Sequence, residues 1–575
     1  MKSFFSSFFG ALVAIVVAVL IVFVMVASKS AEKPKIERGS WLLVDLYGSI
    51  SEYDPPTNVM GELMGGRGET LQRFLTNCDK VCVDDRIEGV IIKMSSSNGA
   101  GRSTLEEMRH AVKKVQASGK KVYGFSDSMD RGTYYLAAAC DSFFMPANAY
   151  FNFMGMAAHT EHFKKTLEKL HIKPNIHRIK DYKSAAEMII REDMSPASRE
   201  NKEWMLDEYW DLYCSALEED RGITEEQVVA GMEKALFLVD EAVEAGFVDS
   251  MMYWDELKNY VTGGNHKLKY VSQDDYEKIE PASLGFKGKK KIAVVHAQGT
   301  IGGRNNRVDP MLGIMMGHES VNGALRTVRD DKDVVAVIFR IDSGGGEGLA
   351  SDLISREVKV TTDEKPVVVS MVNVAGSGGY MIAYRATKIV ADATTVTGSI
   401  GSISGKFNVD GFDRMLGITH DSAEKGPHAE MFSPYRDFTA EEWKIFTDNH
   451  WAGFNVWLRD VAEYRHMSFE DAEKLAMGRV FTGRQGAENG LVDEVGTLDR
   501  AIDLARELAG IPADEKVTIE HYPKRKSFFE ELMSGGAFTT AAQYVVWRFI
   551  QDDVAETWAL LNSRNMYMTE EIEIR

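Results

Sequence analysis

Short runs of apolar, often β-branched residues recur along the chain, and many of them end at glycine-rich turns. Residues 334–341 and 366–371 are two such runs, and a stretch with helical periodicity lies between them at 348–360. Continuous apolar runs of this length are typical of strands buried on both faces of a parallel sheet, with helices as the crossover connections. The pattern therefore predicts an α/β protein built from βαβ units.

The same pattern is written twice along the chain. WLLVDLYGSI at 41–50 corresponds to IAVVHAQGTI at 292–301, and GVIIKMSSSNGAG at 89–101 corresponds to AVIFRIDSGGGEG at 336–348. Three further blocks pair in the same order: 122–141 with 368–387, 147–155 with 393–401, and 237–249 with 481–493. Five matched blocks in one order indicate a duplicated α/β domain.

A chain of 575 residues is too long for one hydrophobic core, which agrees with a division into several parts. The predicted parts are a membrane anchor and stalk at 1–38, a first domain at 39–285, a second domain at 286–510 and a helical extension at 511–575. The lysine- and glycine-rich segment 285–291 is the expected linker. Aromatic residues within 537–561 are expected to pack in an assembly, and contact with the membrane or with substrate is the alternative.

The first thirty residues differ from the rest of the chain. No charged side chain lies between Ser3 and Ser28, and residues 10–27 are almost wholly apolar. At about 1.5 Å per residue this run spans a hydrocarbon core of roughly 30 Å. It predicts an uncleaved anchor in the lipid bilayer; a cleaved signal peptide, the alternative, usually has a shorter apolar run. The basic residues after the run would, by charge bias, hold the body in the cytoplasm.

Composition excludes several classes of protein. With 44% hydrophobic and 27% charged residues the chain is an ordinary globular protein. A net charge of -19 repels phosphate backbones, so nucleic acid is not an expected partner. Four cysteines are too few for a disulfide framework, and Cys78 and Cys82 have no second pair. We therefore expect buried thiols, no structural metal and no cofactor.

Three glycine-rich turns of the second copy follow predicted strands, where ligands of open α/β sheets bind. They span 342–348, 373–381 and 395–405. The middle turn places Ser377 between two glycines, a setting in which a serine hydroxyl projects and backbone N–H groups converge on it. The turns lack the spacing of phosphate-binding loops. They predict a serine nucleophile, with ordinary structural turns as the alternative.

The repeat shows which copy retains polar side chains at each matched position. Ser377 corresponds to Arg131 and Ser399 corresponds to Phe153, so the first copy lacks both serines. Conversely, Lys183 of the first copy corresponds to an alanine in the second. Complementary losses in two copies predict one composite site at their junction.

These motifs resemble those of the signal peptide peptidase A family, also called protease IV, in its long two-domain form. The matching segments are SGGY at 377–380, TGSIG at 397–401 and YKSA at 182–185. The resemblance covers nearly the whole chain after the anchor. One departure is Gly344, which stands where the family usually has a proline before two glycines.

The resemblance implies tandem ClpP/crotonase-like domains, assembled as a homotetrameric bowl that opens toward the membrane. It also implies a serine endopeptidase that degrades cleaved signal peptides and other apolar peptides. We expect the body on the extracytoplasmic side of the cytoplasmic membrane, against the charge bias. Two alternatives use the same features differently: a crotonase-like acyl-CoA enzyme, and a noncatalytic scaffold at the membrane.

Carried over by position, the resemblance assigns a role to each candidate residue. Ser377 attacks the scissile carbonyl, Lys183 takes its proton and Ser399 orients the lysine. The oxyanion hole is formed by backbone N–H groups of Gly345 or Gly346 and of Gly378.

A lysine accepts a proton only when it is uncharged, so we expect burial to lower the pKa of Lys183 from its usual value near 10.4. Asp181 would raise that pKa at close range and is expected to point away. His428 is the best alternative base. Asp342 and Asp392 are expected to cap loops or turns.

Overall fold

The computed structural model describes residues 34–48, 50–53, 69–96, 99–264, 267–309 and 313–524. The predicted anchor at 10–27 and the aromatic segment at 537–561 lie outside these ranges. Within them, no helix combines the length and the apolar character needed to cross a bilayer.

The first domain alternates strands with helices. Its strands are β1 (Ser40–Leu46), β2 (Ile50–Ser51), β3 (Glu69–Thr70), β4 (Ile87–Met94), β5 (Lys121–Ser126), β6 (Ser128–Asp130), β7 (Ser142–Met145), β8 (Tyr150–Phe153), β9 (Lys173–Ile179), β10 (Ala235–Phe237), β11 (Ser250–Met251) and β12 (Tyr270–Ser272). Its helices are α1 (Leu71–Val83), α2 (Arg102–Ala117), α3 (Arg131–Ala137), α4 (Lys164–Lys169), α5 (Glu187–Ile190), α6 (Pro196–Arg221), α7 (Glu225–Lys234), α8 (Val239–Glu244), α9 (Trp254–Val261) and α10 (Gln273–Glu277).

The second domain repeats this order. Its strands are β13 (Lys290–Gln298), β14 (Thr300–Ile301), β15 (Arg307–Asp309), β16 (Gly313–Met316), β17 (Val334–Ser343), β18 (Val367–Gly376), β19 (Lys388–Ala391), β20 (Val396–Gly398), β21 (Ser402–Asn408), β22 (Val480–Thr482), β23 (Glu494–Val495) and β24 (Val517–Tyr522). Its helices are α11 (His318–Asp330), α12 (Gly348–Thr362), α13 (Gly378–Met381), α14 (Asp410–Met415), α15 (Ala440–Tyr464), α16 (Phe469–Leu475), α17 (Gly483–Glu488) and α18 (Leu498–Leu508).

Each domain is built on a central, mostly parallel sheet. The first sheet has the order β11-β7-β5-β4-β1-β12, with parallel pairing throughout. The second has the path β22-β20-β18-β17-β13-β24, with β19 and β23 branching from β18, and β22 is antiparallel to its neighbour. Strands β17 and β18 are buried along most of their length, as their apolar runs predict. The predicted α/β class is confirmed.

Strong local signals fix the long helix α6, which carries several contacts between the domains. Ser195 caps its start by accepting a hydrogen bond from the N–H of Ser198, with Pro196 at the first helical position. Gly222 ends it in the left-handed region, at φ 67°. These are the residue types that helix ends favour, so the boundaries of α6 follow from the sequence.

Two further features join the domains. Strand β9 of the first domain pairs with β21 of the second in an antiparallel two-stranded sheet, from Lys173 against Asn408 to Ile179 against Ser402. Elsewhere in the interface, the fully buried Arg340 forms ion pairs at 2.8 Å with Glu52 and with a second glutamate of the first domain. Breaking such a buried pair leaves an uncompensated charge, so the interface fixes the relative position of the domains.

The structure differs from the predicted boundaries at two places. Residues 517–522, assigned to a helical extension, form β24 and pair with β13 in the second sheet. Strand β13 also takes in the last two residues of the predicted linker, Lys290 and Lys291. The prediction of buried thiols is confirmed for three of the four cysteines, and Cys82 is partly buried.

Candidate active site

The two candidate serines follow adjacent parallel strands that end in register. Strand β18 pairs with β20 up to Gly376 and Gly398, and Ser377 and Ser399 come directly after these glycines. The N–H of Ser377 donates to the carbonyl oxygen of Gly398 at 2.9 Å. The register of one strand pair therefore brings both serines to the same sheet edge.

Both serines have a strained backbone. Ser377 has φ 55° and ψ −116°, and Ser399 has φ 51°. Residues with a side chain rarely adopt positive φ, and such strain concentrates at functional sites. Ser377 forms a sharp turn between β18 and α13, as the glycine-flanked sequence predicted.

Lys183 reaches the serines from the first domain through the β9–β21 pair. Strand β9 ends at Ile179, opposite Ser402, which lies three residues after Ser399. The chain then turns, and the N–H of Tyr182 donates to the carbonyl oxygen of Met477 at 3.0 Å. The antiparallel pairing thus delivers the lysine to the carboxyl end of the second sheet.

The Lys183 ammonium nitrogen contacts both serines. Its Nζ lies 2.9 Å from Ser377 Oγ, 2.8 Å from Ser399 Oγ and 2.9 Å from the carbonyl oxygen of Ser399. The residue is 3% exposed. Burial lowers the pKa of Lys183 to about 7, and no carboxylate opposes this shift. Burial at this position therefore favours the uncharged amine.

Two glycines that sequence analysis did not select allow the lysine to approach. A Cβ on Gly478, which has φ 79°, would lie 2.4 Å from the backbone nitrogen of Lys183. A Cβ on Gly401 would lie 3.2 Å from Lys183 Cδ. Gly401 belonged to a recognised turn, but Gly478 had no signal because its role depends on docking between domains.

The candidate oxyanion-hole glycines are packed against one another, and their N–H groups differ. The N–H of Gly345 donates to Ser343 Oγ at 3.2 Å. In the bridge between Ile301 and Gly346, the N–H of Ile301 donates to the carbonyl oxygen of Gly345, and the N–H of Glu347 donates to the carbonyl oxygen of Ile301. The N–H of Gly346 takes no part in this bridge and points away from Ile301. That nitrogen lies 3.1 Å from the position of a Cβ built on Gly378. Because the N–H of Gly345 is engaged by Ser343, Gly346 and Gly378 are the candidate donors beside the Ser377 turn.

The remaining candidates lie outside this cluster of contacts. Asp181 is exposed, as expected. The ion-pair partner of His428 is Glu442, at 3.9 Å. Asp342 accepts from the N–H of Val374, and burial raises its pKa to about 6. Asp392 likewise accepts from a backbone N–H two residues on, which agrees with the predicted turn-capping role.

Comparison with known proteins decides between a peptidase and the two alternatives, an acyl-CoA enzyme and a noncatalytic scaffold. The model of peptidase family S49 matches residues 114–266 and 359–512, one match in each domain and more than half of the chain in total. The chain belongs to peptidase family S49. It is a serine protease, and the resemblance seen in its motifs is confirmed.

Two relatives match this S49 peptidase over most of its length, and a third matches less than half of it. A chloroplastic serine protease, SPPA, of Arabidopsis thaliana is 30% identical over 511 residues, which cover 87% of this chain and 74% of the relative. Protease 4 of Haemophilus influenzae is 29% identical, covering 83% of this chain and 80% of the relative. A putative signal peptide peptidase SppA of Enterococcus faecium is 31% identical over 254 residues, covering 43% of this chain and 72% of the relative.

Proposed function

We propose that this serine protease works by a Ser/Lys dyad formed between its two domains. Ser377 is the nucleophile, Lys183 is the general base and Ser399 orients the base. The distance of 2.9 Å between Lys183 Nζ and Ser377 Oγ carries the proposal, since it is a hydrogen-bond distance between a nucleophile and a base.

The three contacts of Lys183 match the valence of a neutral amine. An uncharged amine has two hydrogens and one lone pair. The two hydrogens can go to the hydroxyl and carbonyl oxygens of Ser399, at 2.8 and 2.9 Å. The lone pair then faces Ser377 Oγ and accepts its proton. With a pKa of about 7, roughly half of the lysine is neutral at pH 7, against roughly 0.04% at an unperturbed pKa of 10.4.

The reaction follows from these positions. Ser377 Oγ attacks the peptide carbonyl carbon while its proton moves to Lys183. The N–H groups of Gly346 and Gly378 stabilise the oxyanion. The ammonium returns the proton to the leaving amine nitrogen as the C–N bond breaks. A water molecule then hydrolyses the ester on Ser377 by the same sequence and releases the second peptide.

A fluorophosphonate probe tests the dyad. We expect wild-type protein to be labelled at Ser377, with labelling abolished in Ser377→Ala and strongly slowed in Lys183→Met. Lys80→Met is the matched control, because Lys80 is also buried with a pKa lowered to about 8, yet it donates to backbone carbonyl oxygens of the first domain. Equal labelling of the Lys183 and Lys80 variants would contradict the proposal.

The proposal also covers the substrate class of the protease, its attachment to the membrane and its assembly. We infer tandem ClpP/crotonase-like domains, a single-pass anchor at 10–27, an extracytoplasmic body, a homotetramer and cleaved signal peptides as substrates. The apolar run supports the anchor, and the name of the E. faecium relative supports the substrate.

A peptide panel tests the substrate. Apolar, leucine-rich peptides are expected to have higher kcat/KM than charged peptides of equal length. Equal cleavage of the two sets would reject the substrate class and leave the dyad standing.

A further inference from the structure

Strand β18 bulges just before the nucleophile turn. It pairs in register with β17 up to Met371, opposite Ile341, and the pairing resumes with Ala375 opposite Ser343. Two steps along β17 therefore correspond to four steps along β18, which has extra residues in this interval. A bulge bends its strand and re-aims the side chains that follow it. Because the bulge lies directly before the last residues of β18, its shape sets the direction in which Ser377 leaves the sheet.

Asp342 holds the bulge from the neighbouring strand. One of its carboxylate oxygens accepts from the N–H of Val374 at 3.1 Å, and the other accepts from the side-chain Nδ2 of Asn373 at 3.1 Å. Val374 falls between the paired positions of β17 and β18, so the carboxylate takes the place of a ladder partner. Asp342 also begins the glycine-rich turn at 342–348. One carboxylate thus ties the turn with the candidate oxyanion donors to the strand that carries the nucleophile.

Asn373 extends this contact into the first domain. Its Oδ1 accepts from the N–H of Thr104 at 3.1 Å, and its Nδ2 donates to Thr104 Oγ1 at 2.9 Å. Thr104 is 2% exposed and lies in the first turn of α2, where the N-cap residue, Gly101, makes no side-chain cap. The first N–H groups of a helix need acceptors from outside the helix. A side chain of the second domain therefore caps a helix of the first.

Gly101 leaves the space that this cap occupies. A Cβ on Gly101 would lie 2.0 Å from Asn373 Oδ1, closer than two unbonded atoms can approach. Its backbone, at φ −69° and ψ 165°, is in a region open to any residue, so conformation does not require a glycine here. The close approach of the Asn373 side chain does require it.

We propose that Asp342, Asn373 and Thr104 form a positioning network for the proteolytic reaction. The network holds the bulge of β18 in one shape and thereby sets the position of Ser377 relative to the oxyanion donors. Its members act through the backbone, and its outer member belongs to the first domain. This inference rests on the proposed function, because Ser377 is the nucleophile whose position is set.

Asn373→Asp breaks the network by charge. It replaces the amide nitrogen that lies 3.1 Å from Asp342 Oδ2 with a carboxylate oxygen, and the two carboxylates repel each other. We expect kcat for one apolar peptide to fall by about 10-fold to 100-fold, because a small displacement of a reacting group is costly. The value of KM should change little, since the network does not line the peptide. An unchanged kcat in folded protein would contradict the proposal.

Exchange of the two side chains should restore the network. In the double variant Asp342→Asn and Asn373→Asp, the amide at position 342 donates to the carboxylate at position 373, and the N–H groups of Val374 and Thr104 keep their acceptors. We expect kcat of the double variant to be at least about tenfold above that of Asn373→Asp. A double variant that is as slow as the single variant, or slower, would overturn the proposal.

Asn322→Asp is the matched control for the cost of a buried carboxylate. Asn322 is 4% exposed, and its Nδ2 donates to the carbonyl oxygen of Leu353 at 3.3 Å. We expect this variant to lower Tm and to leave kcat of the folded protein unchanged. If Asn322→Asp and Asn373→Asp lose kcat in the same proportion to their loss of Tm, Asn373 has only a structural role and the positioning network is rejected.

Gly101→Ala gives a second variant, which adds no charge and remains informative if Asn373→Asp does not fold. Its methyl group should displace the Asn373 side chain and lower kcat with little change in KM. An unchanged kcat in folded Gly101→Ala protein would reject the network. Fluorophosphonate labelling that is lost in Ser377→Ala identifies the nucleophile independently, so failure of the network and failure of the dyad are distinguishable.

Discussion

The matched turns of the two domains have the same place in the fold but opposite character. In the second domain, Ser377 and Ser399 both have positive φ, at 55° and 51°. In the first domain, the counterpart Arg131 opens helix α3 after an extended Asp130, and neither it nor Phe153 is among the residues with positive φ. At these matched positions, positive φ occurs only in the copy that carries the serines.

The side chains around these turns differ in the same way. Phe153 is fully buried and packs against other aromatic rings, including Phe247 at 4.7 Å between centroids. Ser399, in the matched position, contacts the buried Lys183. The first domain therefore has hydrophobic core where the second has a polar turn. It contributes to the site through Lys183, whose matched position in the second domain is an alanine. At this position the second domain has a strained polar turn, and the first domain has packed aromatic core.

Removal of the dyad should produce the largest effect. We expect Ser377→Ala and Lys183→Met each to lower kcat by about 10⁴-fold or more, and the double variant to lose no more than the worse single one, because the residues act as a unit. Steady-state cleavage of one peptide by all three variants measures this. Multiplicative losses would show that the two domains act independently.

Glycine substitutions in the matched segments 89–101 and 336–348 should give the next largest difference in activity between the two domains. A Cβ on Gly346 would lie 2.0 Å from the carbonyl oxygen of Ile301, at φ 150°. We expect Gly346→Ala to displace one oxyanion donor and to lower kcat by about 10²–10³-fold. The mirror variant in the first domain, Gly99→Ala at φ 66°, should strain the turn and leave kcat unchanged in folded protein. A similar loss of kcat in both would break the comparison.

The pH dependence should report the buried lysine. In the proposed dyad Lys183 acts when it is neutral, and burial lowers its pKa to about 7. Below that pH, kcat/KM should fall about tenfold per unit as the lysine becomes protonated, and above it the rate should reach a plateau. A profile of kcat/KM from acid to mildly alkaline pH checks this. A midpoint near 10 would mean that the site is open to water.

Phe153→Ala should have the smallest effect on activity and still lower stability. Loss of a buried phenylalanine costs about 3–5 kcal/mol in the free energy of unfolding. Since Phe153 packs in the core of the first domain, kcat of the folded fraction should stay unchanged. Chemical denaturation with parallel assays measures both quantities. A lower kcat in fully folded Phe153→Ala protein would mean that this turn of the first domain has a role in catalysis.

Much of this organisation could be predicted from the sequence because it depends on local or repeated patterns. The apolar runs at 334–341 and 366–371 predicted β17 and β18, and the repeat offsets predicted two α/β domains. The complementary losses at Ser377 and Lys183 predicted a site shared between the copies, and the structure brings these two residues within hydrogen-bond distance.

Other features could not be predicted, because they depend on segments far apart in the chain. The β9–β21 pair joins residues more than two hundred positions apart, and no local pattern specifies such a partner. The choice between Gly345 and Gly346 depends on the Ser343 hydroxyl, which takes up the N–H of Gly345. Strand β24 was missed because its sequence, VTIEHY, is short and half polar, and it gains its stability at the sheet edge.

The β9–β21 pair also has a consequence for biosynthesis. During translation, β9 emerges from the ribosome long before β21, its partner at residues 402–408. In the proposed dyad, this pair positions Lys183 beside Ser377 and Ser399, so a nascent chain that ends before residue 402 lacks the contact that places the amine. Such a chain, like a truncated product of a damaged message, is expected to be inactive, and the order of synthesis would delay proteolysis until β21 has been made.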